Sequence, residues 1–158
     1  MKKLIFTAVF ATLVSVAAFA DGGKKTSTTT GEENVSYAVL TQFQTDYANA
    51  TNVQWTIAPT SQKANFTLNN VNYTAYYDSV DQFWGLAQEV DFATVTKAVK
   101  NTVAKDYAGY NVASVTRFEA NDGEEPVVYF INLKNDKENV IITISPADGQ
   151  IKNIDKVK

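Results

Sequence analysis

The sequence predicts an α+β protein, in which one antiparallel sheet of eight strands carries both of its helices on one face. Two observations predict this fold. Each of two segments with helical apolar spacing is followed by short segments in which apolar and polar residues alternate, as in half-buried strands. The two halves also match each other at nearly constant offsets, so that each half is one helix followed by four strands. One half offers too little core to be stable alone, and the halves should therefore share a single sheet.

The predicted helices are the segments in which apolar side chains recur every three or four residues. In the first helix these side chains are Val39, Leu40, Phe43 and Tyr47. In the second they are Val95, Val99, Val103 and Tyr107. Ser36 or Asn34 is the candidate N-cap of the first helix, and Asp91 or Thr94 that of the second. Three apolar residues of the first helix match three of the second at an offset of 60.

Eight strands are predicted from alternation and from the turn residues between them. Asn69-Asn70 is a candidate tight turn between the second and third strands, and further turns are predicted at 78–81, 121–123, 135–136 and 147–149. The predicted strands are 53–57, 66–68, 71–77, 83–88, 112–119, 127–133, 140–144 and 150–154.

The N-terminus has the features of a secretory signal peptide. Lys2 and Lys3 precede an apolar stretch, and Ala18-Phe19-Ala20 is a small-x-small cleavage site. The apolar stretch is shorter than the roughly 20 residues needed to span a bilayer, which disfavours a membrane anchor. We predict a signal peptide at 1–20, a flexible leader at 21–33 and one α+β domain at 34–158, with repeats at about 34–90 and 91–158. The predicted location is periplasmic or secreted.

Composition excludes several functional classes. The chain of 158 residues has no cysteine and no histidine, so a disulfide, a thiolate nucleophile, an imidazole base and a lipobox are all excluded. Loss of residues 1–20 would leave 12 basic and 17 acidic residues, a net charge of −5. A surface of this sign does not attract nucleic acid or anionic lipid, and we expect neither as a partner.

The candidate site is the sheet face that the helices leave open. If Tyr77 and its alternate neighbours face the helices, Asn72, Thr74 and Tyr76 face outward. Adjacent aromatic residues at 76–77 and 83–84 require one member of each pair to point away from the helices, although the sequence leaves open which one. An exposed sheet with aromatic side chains beside amides and hydroxyls is typical of a recognition surface. The predicted partner-binding residues are Tyr76, Trp84, Trp55, Thr74 and Asn72.

Acidic residues are the remaining candidates for acid–base chemistry. Asp78 and Asp81 share a predicted turn, and Glu124-Glu125 lie in a predicted hairpin loop. Such loops supply neither the burial nor the like-charge pairing that moves a carboxyl pKa toward neutrality. The segment 121–125 is also too short for the twelve-residue calcium loop. We therefore expect no enzyme activity, no metal and no cofactor.

Several short motifs resemble the β-lactamase-inhibitor-like, PepSY-like family of exported bacterial proteins. The motif Phe43-x3-Tyr47-x5-Val53-x-Trp55 resembles the opening helix and first strand of that family. The segment Ala75-Tyr76-Tyr77-Asp78, followed after a short turn by Phe83-Trp84, resembles the strand, turn and aromatic of the family. The motifs Tyr129-x-Ile131-x-Leu133 and Asp148-Gly149-Gln150-Ile151 resemble the closing strands of the family and the Asp-Gly turn between them. The resemblance extends from about Val35 to the C-terminus. Gln82 replaces the usual glycine before the aromatic, and segment 48–52 lacks the proline common there.

The resemblance implies a tandem helix-plus-four-strand architecture, whose concave sheet grips a partner enzyme in the secreted β-lactamase inhibitor protein. It implies no catalytic residue, and the known inhibitors contain disulfides that this chain lacks. The sequence thus favours a non-catalytic exported domain that binds a protein or peptide on its open sheet face. One alternative is an inhibitor of a secreted hydrolase (a β-lactamase or a peptidase), with 78–83 as its inhibitory loop. The other is a small enzyme or ligand carrier, which the absence of histidine and cysteine disfavours.

Overall fold

The computed structural model describes residues 29–122 and 125–157, so the predicted signal peptide and segment 21–28 of the predicted leader lie outside the described residues. The helices are α1 (Tyr37–Asp46) and α2 (Lys97–Asp106), each preceded by a 3₁₀ turn, at Glu32–Asn34 and Phe92–Thr94. The strands are β1 (Thr29–Thr30), β2 (Thr51–Ala58), β3 (Ser61–Leu68), β4 (Val71–Asp78), β5 (Phe83–Glu89), β6 (Asn111–Ala120), β7 (Val127–Lys134), β8 (Asn139–Ile144) and β9 (Ile151–Val157).

All strands join one antiparallel sheet in which each strand pairs with its neighbours in sequence. Within the described residues the sheet has nine strands, and the prediction of eight is wrong. Thr29 and Thr30, which the sequence placed in the leader, pair with Ile57 and Thr56 of β2 as a short edge strand. The reason is that β2 would otherwise present a row of unpaired N–H and C=O groups, which any adjacent extended segment can satisfy.

The N-terminus of each helix is fixed by a hydroxyl cap. The Ser36 side chain accepts a hydrogen bond from Val39 N, so one of the two candidate caps of the first helix is confirmed. Both candidates for the second helix are wrong, because the cap is Thr96, whose side chain accepts from Val99 N. Asp91 instead accepts a hydrogen bond from Ala93 N at the start of the 3₁₀ turn that precedes α2.

Each helix buries its apolar stripe against its own set of strands. Val39 and Phe43 of α1 pack on a core cluster from β2, β3 and β4. Val99 and Val103 of α2 pack on a second cluster, which includes Ile131 and comes mainly from β6, β7 and β8. No helix in the described part of the chain is long and apolar enough to cross a membrane.

Strand register places both helices on the same face of the sheet. One row of directly paired residues crosses six strands from β3 to β8, and paired residues share a face. Phe66, at one end of the row, belongs to the α1 cluster, and Ile144, at the other end, belongs to the α2 cluster. The row is Phe66, Tyr73, Gln88, Arg117, Tyr129 and Ile144. The opposite face of the sheet, called here the open face, is therefore covered by neither helix.

Candidate functional site

Alternation along β4 decides which residues reach the open face. Ala75 and Tyr77 are fully buried in the α1 cluster. Asn72, Thr74 and Tyr76 consequently point to the open face, as the sequence predicted. Tyr76 is thus the outward member of the tyrosine pair.

A concave pocket of about 540 Å³ lies on the open face, over β2 to β6. Most of the residues that line the pocket carry an amide or a hydroxyl group, and Tyr76 lies among them. Glu89 is the acidic residue of the lining, and no lysine or arginine is among the described residues that line the pocket. The polar side chains that face it include Gln54, Asn65, Thr67, Asn72, Thr74 and Thr116.

Hydrogen bonds between β3 and β4 order the polar wall. The Thr74 hydroxyl donates to Asn65 Oδ1 at 2.8 Å, across a directly paired position. The Thr67 hydroxyl donates to Asn72 Oδ1 at 2.9 Å at the next pair on this face. Each bond occupies an amide oxygen and leaves the amide NH₂ group of Asn65 and of Asn72 without a protein acceptor among the described residues.

Tyr76 joins the polar wall to an apolar area. Its ring packs edge-on against Phe118 of β6, with the ring centroids 6.2 Å apart. Burial raises the pKa of the Tyr76 hydroxyl to about 12, although a hydrogen bond with Thr74 acts in the opposite direction. The Tyr76 hydroxyl is therefore a neutral donor and acceptor throughout the physiological pH range.

The apolar area was missed by the sequence analysis. Phe118 and Phe130 lie on the open face, where they are 2% and 7% exposed and have ring centroids 6.3 Å apart. The uninterrupted apolar run 127–131 could have predicted this area, because such a run is typical of a strand that is buried on both faces. The cluster consists of Ala87, Phe118 and Phe130, with Tyr76, Ala120, Val128 and Ile141 packed against them.

Trp84 sits at an irregular point of the sheet. Tyr77 pairs with Phe83 and Tyr76 pairs with Gly85, so Trp84 is the additional residue of a β-bulge. Phe83 packs against Tyr77 on the helix side. Trp84 is half-buried and belongs to none of the three apolar clusters formed by the described residues.

Trp55 does not belong with the other predicted contacts. It is 5% exposed and lies on the helix face, where its ring meets Phe43 edge-on with centroids 5.1 Å apart. Alternation in β2 puts Gln54 and Thr56, not Trp55, on the open face. A partner on the open face cannot touch Trp55, so the structure removes this residue from the predicted contact set.

The acidic residues that the sequence offered for acid–base chemistry form structural contacts. Asp78 Oδ1 accepts hydrogen bonds from Val80 N and Gln82 N, each at 2.9 Å, which closes the β4–β5 turn. Glu125 forms an ion pair with Lys152 at 2.7 Å, whereas Glu124 lies outside the described residues. Within 29–122 and 125–157, no three acidic, histidine or cysteine side chains lie together in a group that could hold a metal ion.

Comparisons with known proteins support the architecture. No protein-family model matches the chain. No curated protein matches it significantly. Several solved structures do match. A DUF2874 family protein from Bacteroides uniformis is 20% identical, with a TM-score of 0.70, covering 78% of this chain and 90% of that one.

Two further structures match over a similar length. A BLIP-like protein from Bacteroides fragilis is 17% identical, with a TM-score of 0.66 and coverage of 77% of this chain and 86% of that one. A candidate periplasmic protein from Bacteroides eggerthii is 15% identical, with a TM-score of 0.69 and coverage of 77% and 88%. At these identities the likeness shows the fold alone. None of the three descriptions names PepSY-like proteins, and that part of the resemblance stays a prediction.

Proposed function

We propose that the protein is a non-catalytic exported domain that binds a protein or peptide on the open face of its sheet. The observation that carries the proposal is a concave pocket on this face that is lined mainly by residues with amide and hydroxyl groups, together with the ring of Tyr76, which packs on the buried aromatic cluster beside the pocket. Aromatic side chains flanked by amides and hydroxyls provide contact area and hydrogen bonds at low entropic cost. Tyr76 and Trp84 are the proposed anchors, and Thr74 and Asn72 the polar contacts beside them.

Glu138 and Asp148 are carboxyl groups whose pKa values are shifted away from those of a general acid. The hydrogen bond from Tyr110 and the contact with Lys156 lower the pKa of Glu138. A backbone hydrogen bond from Gln150 lowers the pKa of Asp148. A general acid at neutral pH needs a shift in the opposite direction.

Export is proposed from the N-terminal sequence. The charged start, the apolar stretch and the Ala18-Phe19-Ala20 site have the order of a secretory signal. The fold likeness to a candidate periplasmic protein agrees with this location. Size measurement of the protein recovered from the envelope would test it, since cleavage after Ala20 shortens the chain by 20 residues.

A capture experiment tests the binding function. The purified protein is immobilised and exposed to envelope extract of its own host, in parallel with a Tyr76→Ala/Trp84→Ala variant. Loss of either anchor should weaken binding of the captured partner by about 2 kcal/mol or more. Tyr37→Ala is the matched control, because Tyr37 is an aromatic residue of α1 that is 84% exposed and lies on the helix side.

Two outcomes decide the proposal. A partner held by the parent and by Tyr37→Ala, but lost by the folded double variant, supports it. A partner held equally by all three proteins contradicts the assignment to the open face. Because Tyr76 packs against Phe118, the double variant could unfold, and Trp84→Ala alone then provides the test, since Trp84 lies outside the apolar clusters of the described residues.

The second candidate is an inhibitor of a secreted hydrolase. The specific observation is the β4–β5 turn, which Asp78 holds rigidly while Val80 at its tip is 69% exposed. A protruding turn with a fixed backbone suits insertion into an active-site cleft, and the fold is similar to that of a BLIP-like protein. Nitrocefin hydrolysis by a β-lactamase, with and without the protein, tests this function. Inhibition that Val80→Asp abolishes would support it, and unchanged hydrolysis at micromolar protein would exclude β-lactamase as the target.

A further inference from the structure

The pocket on the open face has the chemistry of a site for a neutral, hydroxyl-rich ligand. Most of the residues that line it are asparagine, glutamine, serine or threonine, Glu89 is its acidic residue, and the described lining contains no lysine or arginine. The described lining therefore offers no cationic side chain to an anionic ligand. Carboxamides and hydroxyls both donate and accept hydrogen bonds, as the hydroxyl groups of a sugar do. The volume of about 540 Å³ lies in the range of small-molecule sites.

Two amide donors are already oriented toward such a ligand. Thr74 and Thr67 donate to the Oδ1 atoms of Asn65 and Asn72, and this fixes both side chains through their oxygens. The two NH₂ groups remain as donors on the same face of adjacent strands. Groups that are held in place before binding lose little entropy when the ligand arrives.

The centre of the pocket offers a ligand side chains and no unpaired main chain. Peptides that bind sheets commonly pair their main chain with an unpaired edge strand. The pocket extends over β2 to β6, and its middle strands β3, β4 and β5 are paired on both sides. A ligand over these three strands therefore meets side chains only. The Tyr76 ring adds an apolar surface on which the C–H face of a sugar ring can pack.

We propose that this pocket binds a neutral saccharide, with Asn65 and Asn72 as hydrogen-bond donors and Tyr76 as the stacking residue. This inference goes beyond the proposed function, because it concerns a small ligand in the pocket and not a protein across the face. A free oligosaccharide and the chain of an insoluble polysaccharide present the same hydroxyl groups, and the experiment separates these two sources.

The test titrates ¹⁵N-labelled protein with maltose, cellobiose and diacetylchitobiose, and measures co-sedimentation with starch, cellulose and chitin. We expect one of these sugars to shift the side-chain NH₂ signals of Asn65 and Asn72. Asn65→Ala and Asn72→Ala should each weaken binding about three- to tenfold, the effect of one lost neutral hydrogen bond. Asn49→Ala is the matched control and should bind as the parent does, because Asn49 is exposed in the turn after α1, outside the pocket.

Every outcome decides between the sources or against the proposal. Shifts with a disaccharide support a free oligosaccharide, and co-sedimentation alone, lost in Asn65→Ala, supports a polysaccharide. No binding in either arm overturns the proposal, as does binding that Asn65→Ala and Asn72→Ala leave unchanged. Protein capture that depends on Tyr76 but not on Asn65 would retain the proposed function while the saccharide site failed. Saccharide binding without any captured protein would support the saccharide site and contradict the proposed protein-binding function.

Discussion

The ring of Phe118 lies against Gly85 on the neighbouring strand, so closely that a Cβ atom at Gly85 would stand 2.5 Å from Phe118 Cζ. Only a residue without a side chain permits this approach. The contact places an aromatic ring at the centre of the open face, next to Tyr76, with which Phe118 packs edge-on. The shape of the candidate site therefore depends on a glycine in a strand interior.

Gly85→Ala should destabilise the protein by about 2 kcal/mol or more, because the added methyl group overpacks a contact that cannot open without moving β5 from β6. Chemical denaturation would measure the change in the free energy of unfolding. Gly109→Ala is the matched control, since a Cβ at Gly109 meets no atom within 4 Å, and we expect a change within about 0.5 kcal/mol. Equal stability of Gly85→Ala and the parent would contradict the close packing.

Gln62 should be the most costly polar side chain to remove on the helix face. It is 8% exposed, its Oε1 accepts from Ser36 N at 3.0 Å, and its Nε2 donates to Asp81 Oδ1 at 2.8 Å. Gln62→Ala breaks both bonds and should cost about 2–3 kcal/mol of unfolding free energy. Gln54→Ala is the control, because Gln54 is exposed. A double-mutant cycle with Asp81→Ala would show coupling if the bond between the two side chains contributes, and additive effects would contradict it.

The two helix caps should differ in strength. Ser36 receives one hydrogen bond, from Val39 N at 3.2 Å. Thr96 receives one from Val99 N at 3.4 Å and also donates to the carbonyl of Pro146 at 2.8 Å, which ties α2 to the β8–β9 turn. Ser36→Ala should cost about 1 kcal/mol of unfolding free energy, and Thr96→Ala roughly 1 kcal/mol more. Thr96→Ser should restore most of the loss, and a Thr96→Ala cost no larger than that of Ser36→Ala would show that the Pro146 contact contributes nothing.

Alkaline pH should weaken the fold in part through Tyr76. Burial raises the pKa of Tyr76 from 10.0 to about 12, so the folded state holds a proton that the unfolded state has released. The contribution to stability is complete below pH 10 and is lost as the pH rises toward 12. Tyr47 behaves alike, since burial raises its pKa to about 12. Unfolding free energy measured from pH 9 to 12 should therefore fall less steeply in Tyr76→Phe than in the parent, and identical slopes would contradict the burial of the hydroxyl.

The local sequence pattern was sufficient to predict a helix or a strand wherever one face of that element is apolar. The helical spacing of Val39 and Phe43 predicted α1, and the side chains at these positions are buried. Asn69-Asn70 predicted the β3–β4 turn, in which both residues adopt positive φ angles of 52° and 63°. Alternation in β4 predicted that Tyr76 faces away from Tyr77. Each of these properties depends on residues within one turn or one strand.

The sequence pattern did not predict the properties that depend on pairing between distant segments. The ninth strand exists because β2 accepts Thr29 and Thr30 at its edge, and two threonines carry no periodic signal of their own. The bulge at Trp84 shifts the register between β4 and β5, which alternation alone does not reveal. Trp55 has the same local pattern whether a helix or solvent covers it.

The sequence by itself determined the two helices, eight of the nine described strands and their turns, because apolar periodicity and turn residues are local. It also predicted that both helices cover one face, since each half has too little core to be stable alone. Only the tertiary structure decided that Tyr76 and not Tyr77 faces the open side, that Trp55 lies beneath α1 and that Phe118 and Phe130 meet on the open face. It also paired an amide and a hydroxyl of β3 with a hydroxyl and an amide of β4. The physical reason is that register between strands sets which side chains become neighbours, and register is fixed by the packing of the whole sheet.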